Sequence, residues 1–371
     1  MKAAVATARP IAVAEDAVAR WFGRERAVLA GSGTAAITLL LEALNLPGDA
    51  KVLYPDTICD TAVNAAVCAG LAPAFADVDP ATATLDPAPT AAGRGRIGAV
   101  MPTHIFGHPA AIPRCGEQGL PADCAVIEDA AQGYGGTWQG RKIGALAPFS
   151  IVSFGRGKLL DLGSGGALLT DDPALARAAE RVRASWPGPR NSEAERKAFM
   201  EACFRGRKQA PSAESWVAQR DKLMRRHRHA YVFQIEEDQA ERIGAAVATI
   251  DGLAAQRQHA TAALQGVLRE AQARWPSHLQ AFATPQTAAL WRFSFLAAAP
   301  HRQSLVEALR RAGLQVSTLF QPMHRQYLQP DDAFPQACAL ADRLINIAFD
   351  GKDAKNAAQS LRDCLDGYFG N

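Results

Sequence analysis

The sequence has no run of about 18 or more uninterrupted apolar residues, so we expect no helix that spans a membrane. Its seven cysteines are an odd number, lie far apart and form no C-x-x-C pair, which argues against a disulfide framework and against a zinc site. An excess of one charge is also missing, because 40 Lys and Arg residues stand against 37 Asp and Glu residues. The resulting net charge of +3 does not favour a general nucleic-acid binder. We therefore expect a cytoplasmic enzyme with no membrane partner, no nucleic-acid partner and no metal site.

The composition and length are those of an ordinary globular protein. Hydrophobic residues make up 48% and charged residues 21% of the 371 positions, which excludes a disordered tail protein. At about 100–200 residues per domain the length favours two domains, which we place at residues 1–240 and 241–371. The Ala- and Val-rich start is interrupted by Arg9-Pro10 and lacks the compact apolar core of a secretion signal.

Short apolar runs alternate with helical patterns between residues 27 and 170. Such alternation predicts an α/β fold with a mostly parallel sheet and helices on both faces. The predicted strands are Ala27–Leu29, Val52–Tyr54, Pro73–Asp77, Ala99–Thr103, Ala125–Glu128, Ser150–Phe154 and Ala167–Thr170. A helix predicted at Ala12–Trp21 precedes the first strand, whereas a dinucleotide-binding fold would usually open on its strand.

The second half of the chain has a basic segment and then a smaller set of predicted elements. Residues 190–229 hold eleven Lys and Arg but five Asp and Glu, which fits either a solvated helical face or a basic rim for a phosphorylated substrate. The predicted elements around it are a helix at Ala174–Trp186, a long helix at Ala240–Glu270, a strand at Arg292–Ala297, a helix at Arg302–Ala312, a strand at Gln315–Leu319 and a helix at Ala354–Tyr368.

The first motif that carries chemistry is the stretch Gly31–Ala36, which lies between a predicted strand and a predicted helix. Small residues let the backbone approach an anion at the positive end of a helix, and Ser32 or Thr34 can add a hydroxyl donor. The same stretch also fits G-x-G-x-x-A, the dinucleotide fingerprint, with Asp56 about where a ribose-binding acid is expected. A tight turn before an ordinary helix is the third interpretation.

Two further motifs follow strands of the predicted sheet. Glu128-Asp129 ends a strand, so at least one carboxylate is expected at the carboxyl edge of the sheet, where ligands of open α/β folds bind. An acid at that place is also a common helix cap. Lys158 lies on a loop between Ser153 and Gly163-Ser164-Gly165-Gly166, and burial there would lower its pKa and free the amine for a Schiff base. The alternative is a solvent-facing lysine on a flexible turn.

Together the three motifs resemble the DegT/DnrJ/EryC1/StrS family of pyridoxal-phosphate-dependent sugar aminotransferases. Three more stretches are similar to segments of that family: Tyr54–Asp79, Thr103–Ala110 and Pro322-Met323-His324. The resemblance implies fold type I, the fold of aspartate aminotransferase, with a large, mostly parallel sheet domain and a smaller C-terminal α+β domain. It also implies a homodimer with the active site at the subunit interface.

The resemblance assigns pyridoxal 5'-phosphate as cofactor and gives each motif residue a role. Gly33, Thr34 and Ser153 would bind the phosphate. Asp129 would pair with the ring nitrogen and keep it protonated, which makes the ring an electron sink. Gln132 would hydrogen-bond the ring hydroxyl.

Lys158 would form the Schiff base with the cofactor and then move a proton between the Cα carbon of the donor and the cofactor. An amino donor, L-glutamate by expectation, and a keto acceptor, a nucleotide-linked keto-sugar, would be the substrates. Because a His replaces this lysine in the dehydratase branch of the family, Lys158 favours transamination. A smaller keto or aldehyde acceptor, an inactive cofactor-binding homologue and a nicotinamide-dependent oxidoreductase are the alternatives. The oxidoreductase leaves the Lys158 loop unexplained.

The sequence departs from the family pattern at three places. Cys59 stands where the family usually has an aromatic ring stacked on the cofactor, so it can pack on the ring but cannot stack. Ser164 replaces the Glu of the family's G-E-G-G. The N-x-R contact that a partner subunit donates in the family has no clear equivalent at Glu236–Ile243.

Three more polar residues are candidates for substrate contact. His104 and His324 lie in family-like motifs, although a histidine beside an apolar strand is more often a packed core residue. Arg292 belongs to a predicted apolar strand, where a charge needs a partner. It would grip the carboxylate of an amino donor by a bidentate fork, or else form a structural ion pair.

Overall fold

The computed structural model describes residues 10–86, 95–117, 119–188, 192–318, 322–349 and 351–370. None of the helices in these ranges is long and apolar enough to cross a membrane. The helices are α1 Pro10–Phe22, α2 Gly33–Leu44, α3 Asp60–Cys68, α4 Pro173–Ala184, α5 Ser192–Gln209, α6 Ala213–Arg226, α7 Glu237–Ala246, α8 Ile250–Arg274, α9 Ala299–Arg311, α10 Met323–Gln326, α11 Pro335–Arg343 and α12 Ala354–Phe369. The strands are β1 Arg26–Ala30, β2 Lys51–Pro55, β3 Ala72–Ala76, β4 Ile97–Val100, β5 Ala125–Asp129, β6 Thr137–Trp138, β7 Arg141–Lys142, β8 Phe149–Ser153, β9 Gly166–Thr170, β10 Leu279–Ala281, β11 Phe293–Ala297, β12 Val316–Ser317 and β13 Leu344–Ile347.

A seven-stranded sheet forms the centre of the fold, in the order β1-β9-β8-β5-β4-β2-β3. The neighbours from β8 through β3 pair in parallel, and β9 runs antiparallel to both β1 and β8. Most residues of these strands are buried, which is typical of a sheet covered on both faces and explains why the strands read as continuous apolar runs. The predicted α/β class with a mostly parallel sheet is therefore confirmed.

A second, antiparallel sheet of four strands lies near the C-terminus in the order β10-β11-β13-β12. Its apolar side chains share a core with α8, α9 and α12. Helix α7 packs instead on α1, where the Cα atom of Ala14 would lie 3.1 Å from a Cβ atom placed on Gly244. The division of the chain at residue 240 stays a prediction.

The predicted elements agree with the structure in type and differ at their ends. The helix predicted before the first strand is α1. The long helix predicted at Ala240–Glu270 is two helices, α7 and α8, separated by a 3-10 turn at Val247–Thr249. The predicted strand Arg292–Ala297 begins one residue later, and the strand predicted at 315–319 spans 316–317, with residue 319 outside the described residues.

One edge of the large sheet collects four strand ends. Strands β2, β5 and β8 are mutually parallel, and β1 shares their direction because both β1 and β8 run antiparallel to β9. Their carboxyl ends therefore meet at the same edge. Ligands of open α/β sheets bind at this edge, so the topology places the three sequence motifs side by side.

Candidate active site

A cavity of about 420 Å³ lies at the carboxyl edge of the large sheet. It brings six of the predicted site residues together: Gly33, Thr34, Cys59, Asp129, Ser153 and Lys158. The other described residues of its wall are Gly31, Ser32, Ile37, Thr61, Ala62, Ala131, Ile151, Gly155, Arg156, Gly163, Ser164, Gly165, Arg196 and Phe233.

The start of α2 forms one end of this cavity. Ser32 caps the helix, since its hydroxyl accepts a hydrogen bond from the Ala35 amide at 3.0 Å, and it also donates to the Tyr231 carbonyl at 3.1 Å. The hydroxyl of Ser32 is thus engaged, and Thr34 is the residue of this turn whose hydroxyl is left for a ligand. Amides in a first helical turn lack intrahelical acceptors, so this end of the cavity suits an anion.

Gly33 is required at the helix start by a close approach. A Cβ atom at this position would lie 2.9 Å from both the Cβ and Oγ atoms of Ser153, which ends β8. The distance is shorter than real Cβ contacts, so any side chain would displace the Ser153 hydroxyl. Gly33 and Ser153 together form a narrow cradle at the anion-binding end.

The two carboxylates that end β5 lie in different surroundings. Asp129 lines the cavity, and its Oδ1 atom accepts a hydrogen bond from the Ala131 amide at 3.0 Å. Burial raises the pKa of Asp129, while this hydrogen bond and the positive charge of Lys158 oppose the rise. Glu128 is fully buried away from the cavity and accepts hydrogen bonds from Gly144, Leu146, Ala147, Ser150 and His104. Asp129 is therefore the carboxylate that can meet a ligand.

Lys158 lies on the loop between β8 and β9 and faces the indole of Trp291. Its Nζ atom is 5.0 Å from the centre of the ring, and the Trp291 Nε1 group donates a hydrogen bond to the Gly157 carbonyl at 2.6 Å. Burial lowers the pKa of Lys158, and the positive charge of Arg292 lowers it further, whereas Cys59 and Asp129 raise it. The lowered pKa increases the share of neutral amine, which is the nucleophilic form.

Cys59 lies on the same cavity wall as Asp129 and Lys158. Its side chain is exposed to the cavity, and its Sγ atom is 3.3 Å from the Thr61 hydroxyl. Surrounding protein groups still desolvate the thiol enough to raise its pKa, and Asp129 raises it further while Lys158 opposes. The predicted ring-facing position is thus occupied by a neutral thiol.

Gln132 is buried beside the cavity and does not line it. Its Oε1 atom accepts a hydrogen bond from the Phe106 amide at 2.8 Å. Phe106 has a φ of 56° and is held there by three hydrogen bonds, because its carbonyl also accepts from the amides of Trp291 and Arg292. Since the carboxamide oxygen is engaged, the NH₂ group is what Gln132 can offer to a ligand.

His104 lies outside the cavity, in the packed interior. Its Nδ1 atom accepts a hydrogen bond from the Ala110 amide at 2.8 Å, so Nε2 carries the proton and donates it to Glu128 at 3.0 Å. The ring is fully buried, and its contacts are those of a packed core histidine rather than of a cavity residue.

His324 is also fully buried and away from the cavity wall, stacked on Phe334 with ring centres 4.3 Å apart. Its Nδ1 atom is 2.6 Å from Asp56 and its Nε2 atom 2.9 Å from Asp331. Burial lowers the pKa of His324, but the hydrogen bonds to Asp56 and Asp331 outweigh burial and raise it overall.

Asp56, the candidate ribose-binding acid, has both carboxylate oxygens engaged by His324. Its Oδ1 atom accepts from the His324 amide and its Oδ2 atom from the His324 ring, each at 2.6 Å. Asp56 is fully buried and is not on the wall of the cavity. The acid that the dinucleotide interpretation needs is therefore committed to a structural contact.

Arg292 lies one residue before β11 and beside Lys158 rather than on the cavity wall. Its guanidinium carbon is 4.6 Å from the centre of the Trp291 ring. Among the described residues no carboxylate lies within 4 Å of it, so the structural ion pair considered from the sequence is not found in this part of the chain. Burial lowers the pKa of Arg292.

Four residues near the site were not predicted from the sequence. Trp291 lies beside Lys158, and Phe233, Arg156 and Arg196 line the cavity. Arg196 comes from α5, inside the basic segment at residues 190–229. The local excess of positive charge was the signal, but it did not tell which of the cations reaches the site.

A model of the DegT/DnrJ/EryC1/StrS aminotransferase family matches residues 9–352 of the chain. The match confirms the resemblance that the three motifs indicated. The L-glutamine:2-deoxy-scyllo-inosose aminotransferase of Streptomyces kanamyceticus is 35% identical over 158 residues, which cover 42% of this chain and 37% of that protein. The GDP-perosamine synthase of Caulobacter vibrioides is 33% identical over 177 residues, which cover 47% of each protein. The chain thus spans less than half of the length of these curated relatives.

Among solved structures, NtdA of Bacillus subtilis, with the bound cofactor PMP, is similar over 98% of this chain and 78% of its own. The TM-score is 0.72 and the sequence identity 17%. At this identity the likeness concerns the fold, and it confirms the fold type I architecture that the resemblance implied.

Proposed function

The chain belongs to the DegT/DnrJ/EryC1/StrS aminotransferase family, and from this membership we propose that it is a pyridoxal-phosphate-dependent aminotransferase. The observation that carries the proposal is the shared cavity of Lys158 and Asp129, closed at one end by the start of α2. An amine, a carboxylate and an anion site are the three groups that this cofactor needs.

The cavity residues fit pyridoxal 5'-phosphate. The first turn of α2, the Thr34 hydroxyl and the Ser153 hydroxyl would hold the phosphate, and Gly33 leaves the Ser153 hydroxyl in place. Asp129 would meet the ring nitrogen, and Lys158 the aldehyde carbon. When bound, the cofactor supplies an aldehyde that takes up amino groups and a ring that withdraws electrons.

Asp129 would act by its charge on the ring nitrogen. Burial raises the pKa of this carboxyl in the protein alone, and a cationic ring nitrogen beside it would favour the ionised form. The carboxylate then holds the proton on that nitrogen. Gln132 would donate its NH₂ group to the ring hydroxyl, because its carbonyl is fixed by Phe106.

Lys158 would act as nucleophile and as base. Because burial lowers the pKa of its amine, a larger share of the group is neutral near pH 7 than for an exposed lysine. The neutral Nζ atom can accept the proton from the Cα atom of the amino donor and return one later in the reaction. The Trp291 ring lies on one side of the amine.

We propose L-glutamate or L-glutamine as amino donor and a nucleotide-linked keto-sugar as acceptor. L-glutamine and 2-deoxy-scyllo-inosose are in the name of one relative, and GDP-perosamine is in that of another. A smaller cyclic ketone is the second candidate acceptor.

Arg292 would bind the donor carboxylate, since it lies beside Lys158 with no acidic partner among the described residues. An Arg292→Lys variant with an unchanged KM for the donor would contradict this role.

The reaction is tested by loading the purified protein with pyridoxal phosphate and adding L-glutamate or L-glutamine. We expect the visible absorption of the lysine-bound cofactor to be replaced by that of the pyridoxamine form, and a keto acceptor to reverse the change. Lys158→Ala should lack the visible band, whereas Lys222→Ala, a change of an exposed lysine on α6, should keep it. A loaded protein that no donor converts would instead support an inactive homologue, and tight NAD binding would support an oxidoreductase.

We also propose a cytoplasmic homodimer whose two chains each have domains at residues 1–240 and 241–371. The seven cysteines are all free thiols, which is typical of a reducing compartment. The dimer is supported by the family alone. Sedimentation equilibrium with the mass of one chain would contradict it.

A further inference from the structure

The basic segment at residues 190–229 brings one positive charge to the cavity. The segment folds into α5 and α6, and of its described Lys and Arg residues Arg196 is the one on the cavity wall. Some of the other described cations of the segment make structural contacts. Arg220, for example, is buried and donates to Asn64 on α3 and to the Tyr327 hydroxyl.

The backbone around Arg196 is fixed on both sides. A carboxylate oxygen of the preceding residue, Glu195, lies 2.8 Å from the His229 Nε2 atom. Phe199, one turn later, is buried and packs edge-on against Tyr231 with ring centres 5.8 Å apart. Helix α5 therefore presents Arg196 to the cavity from a defined position rather than from a free surface helix.

The helix that carries Arg196 and the cap of α2 both contact Tyr231. Tyr231, on which α5 packs, accepts a hydrogen bond through its carbonyl from the Ser32 hydroxyl, the cap of α2. Arg196 therefore reaches the cavity from the side on which α2 begins.

We propose that Arg196 binds the phosphate of the cofactor, as a cation supplied by the same chain that supplies α2. This inference depends on the proposed function. The first turn of α2, Thr34 and Ser153 are neutral donors, and the family's N-x-R contact from the partner subunit has no clear equivalent at Glu236–Ile243. A guanidinium offers a phosphate two parallel N–H donors and a full charge. Arg196 would make both contributions without a partner subunit.

Arg156 is the competing cation, because it also lines the cavity, two residues before Lys158. It lies on the loop that carries Lys158, whereas Arg196 lies on α5, which packs on Tyr231. A test must therefore compare the two arginines within one cavity.

The experiment measures the dissociation constants of pyridoxal phosphate and of pyridoxal, which lacks the phosphate, by absorbance titration. We expect Arg196→Gln to weaken pyridoxal phosphate about tenfold to a hundredfold, and to change the affinity for pyridoxal by no more than about twofold. Arg196→Lys should retain part of the affinity as a point charge. Arg205→Gln, an exposed change on the same helix, should leave both constants unchanged.

Three results would overturn the inference. One is an unchanged affinity of Arg196→Gln for pyridoxal phosphate, and another is the same loss for both ligands, which would indicate a structural role. The third is a phosphate-specific loss in Arg156→Gln and not in Arg196→Gln. A wild-type protein that binds neither ligand would contradict the proposed function itself and this inference with it. Thermal unfolding of each ligand-free variant shows whether it is folded, and the Lys variant of the same arginine replaces any Gln variant that is not.

Discussion

Glu128 and Asp129 are consecutive residues of β5, and their carboxylates lie on opposite sides of the sheet. Side chains alternate along a strand, so when Asp129 faces the cavity Glu128 must face the interior. There it accepts hydrogen bonds from three backbone amides, the Ser150 hydroxyl and His104. Burial raises the pKa of Glu128, but these hydrogen bonds outweigh burial and lower it overall. The two acids are thus expected to respond differently to the same chemical change.

The first prediction concerns Asp129→Asn. The variant should keep bound cofactor, because the phosphate and aldehyde contacts are intact, but should lose about a hundredfold or more of its turnover, since the carboxylate that holds the ring proton is gone. Steady-state turnover with L-glutamate and bound cofactor content are the measurements. Near-wild-type turnover would mean that the carboxylate at position 129 has another role.

The second prediction concerns Glu128→Gln, the matched change of the neighbouring acid. The NH₂ group of the new side chain cannot accept hydrogen bonds from the buried backbone amides that now donate to Glu128. The change should therefore lower the free energy of unfolding by about 2–5 kcal/mol. Urea unfolding of the ligand-free protein measures the difference. Asp129→Asn serves as the control and should change stability far less. Equal stability losses in the two variants would contradict the division of roles.

The third prediction concerns the cradle at the start of α2. Gly33→Ala places a Cβ atom 2.9 Å from Ser153 Oγ, and the displacement of that hydroxyl should weaken the binding of pyridoxal phosphate about tenfold. The double variant Gly33→Ala, Ser153→Gly should accommodate the added methyl group but lack the hydroxyl. Gly48→Ala is the control, because nothing lies within 4 Å of an added Cβ there. Unchanged affinity in Gly33→Ala would remove the steric reason for glycine.

The fourth prediction is a pH dependence of stability from His324. Its pKa is raised in the folded protein, so the stabilisation is fully present below the ordinary pKa of 6.5 and is lost as pH rises through the folded-state value. The groups that face this ring are Asp56, Asp331 and Cys338, and Arg325 shares Asp331.

The difference in unfolding free energy between wild type and His324→Gln should therefore be larger at about pH 6 than at about pH 9. Urea unfolding at the two pH values gives this difference. A difference that is equal at both values, or larger at the higher one, would show that the ring is neutral in the folded protein.

The sequence predicts those parts of the fold and site that local signals determine. Strands of the large sheet are buried on both faces, so their apolar runs identify them. Gly33, Asp129, Ser153 and Lys158 each follow or end such a strand, and the parallel sheet brings strand ends to one edge. The sequence therefore predicts that these four residues lie close together, although their roles remain proposals.

Contacts between distant segments of the chain are not predicted by local sequence patterns. His324 binds Asp56 across 268 positions of the chain, so neither residue has a local signal for a structural role. The carboxamide of Gln132 is oriented by Phe106, whose left-handed backbone is not predictable for a phenylalanine. Arg196 is one of several cations of a helix that looks evenly solvated in sequence, and the contacts of this helix with distant residues such as Tyr231 are not visible there.

The most direct test of the central claim is borohydride reduction of the protein loaded with pyridoxal phosphate, followed by mass spectrometry of its peptides. The account predicts one reduced cofactor per chain, attached to Lys158, and none in Lys158→Ala. Attachment to another lysine, or no attachment in a folded wild-type protein, would contradict it.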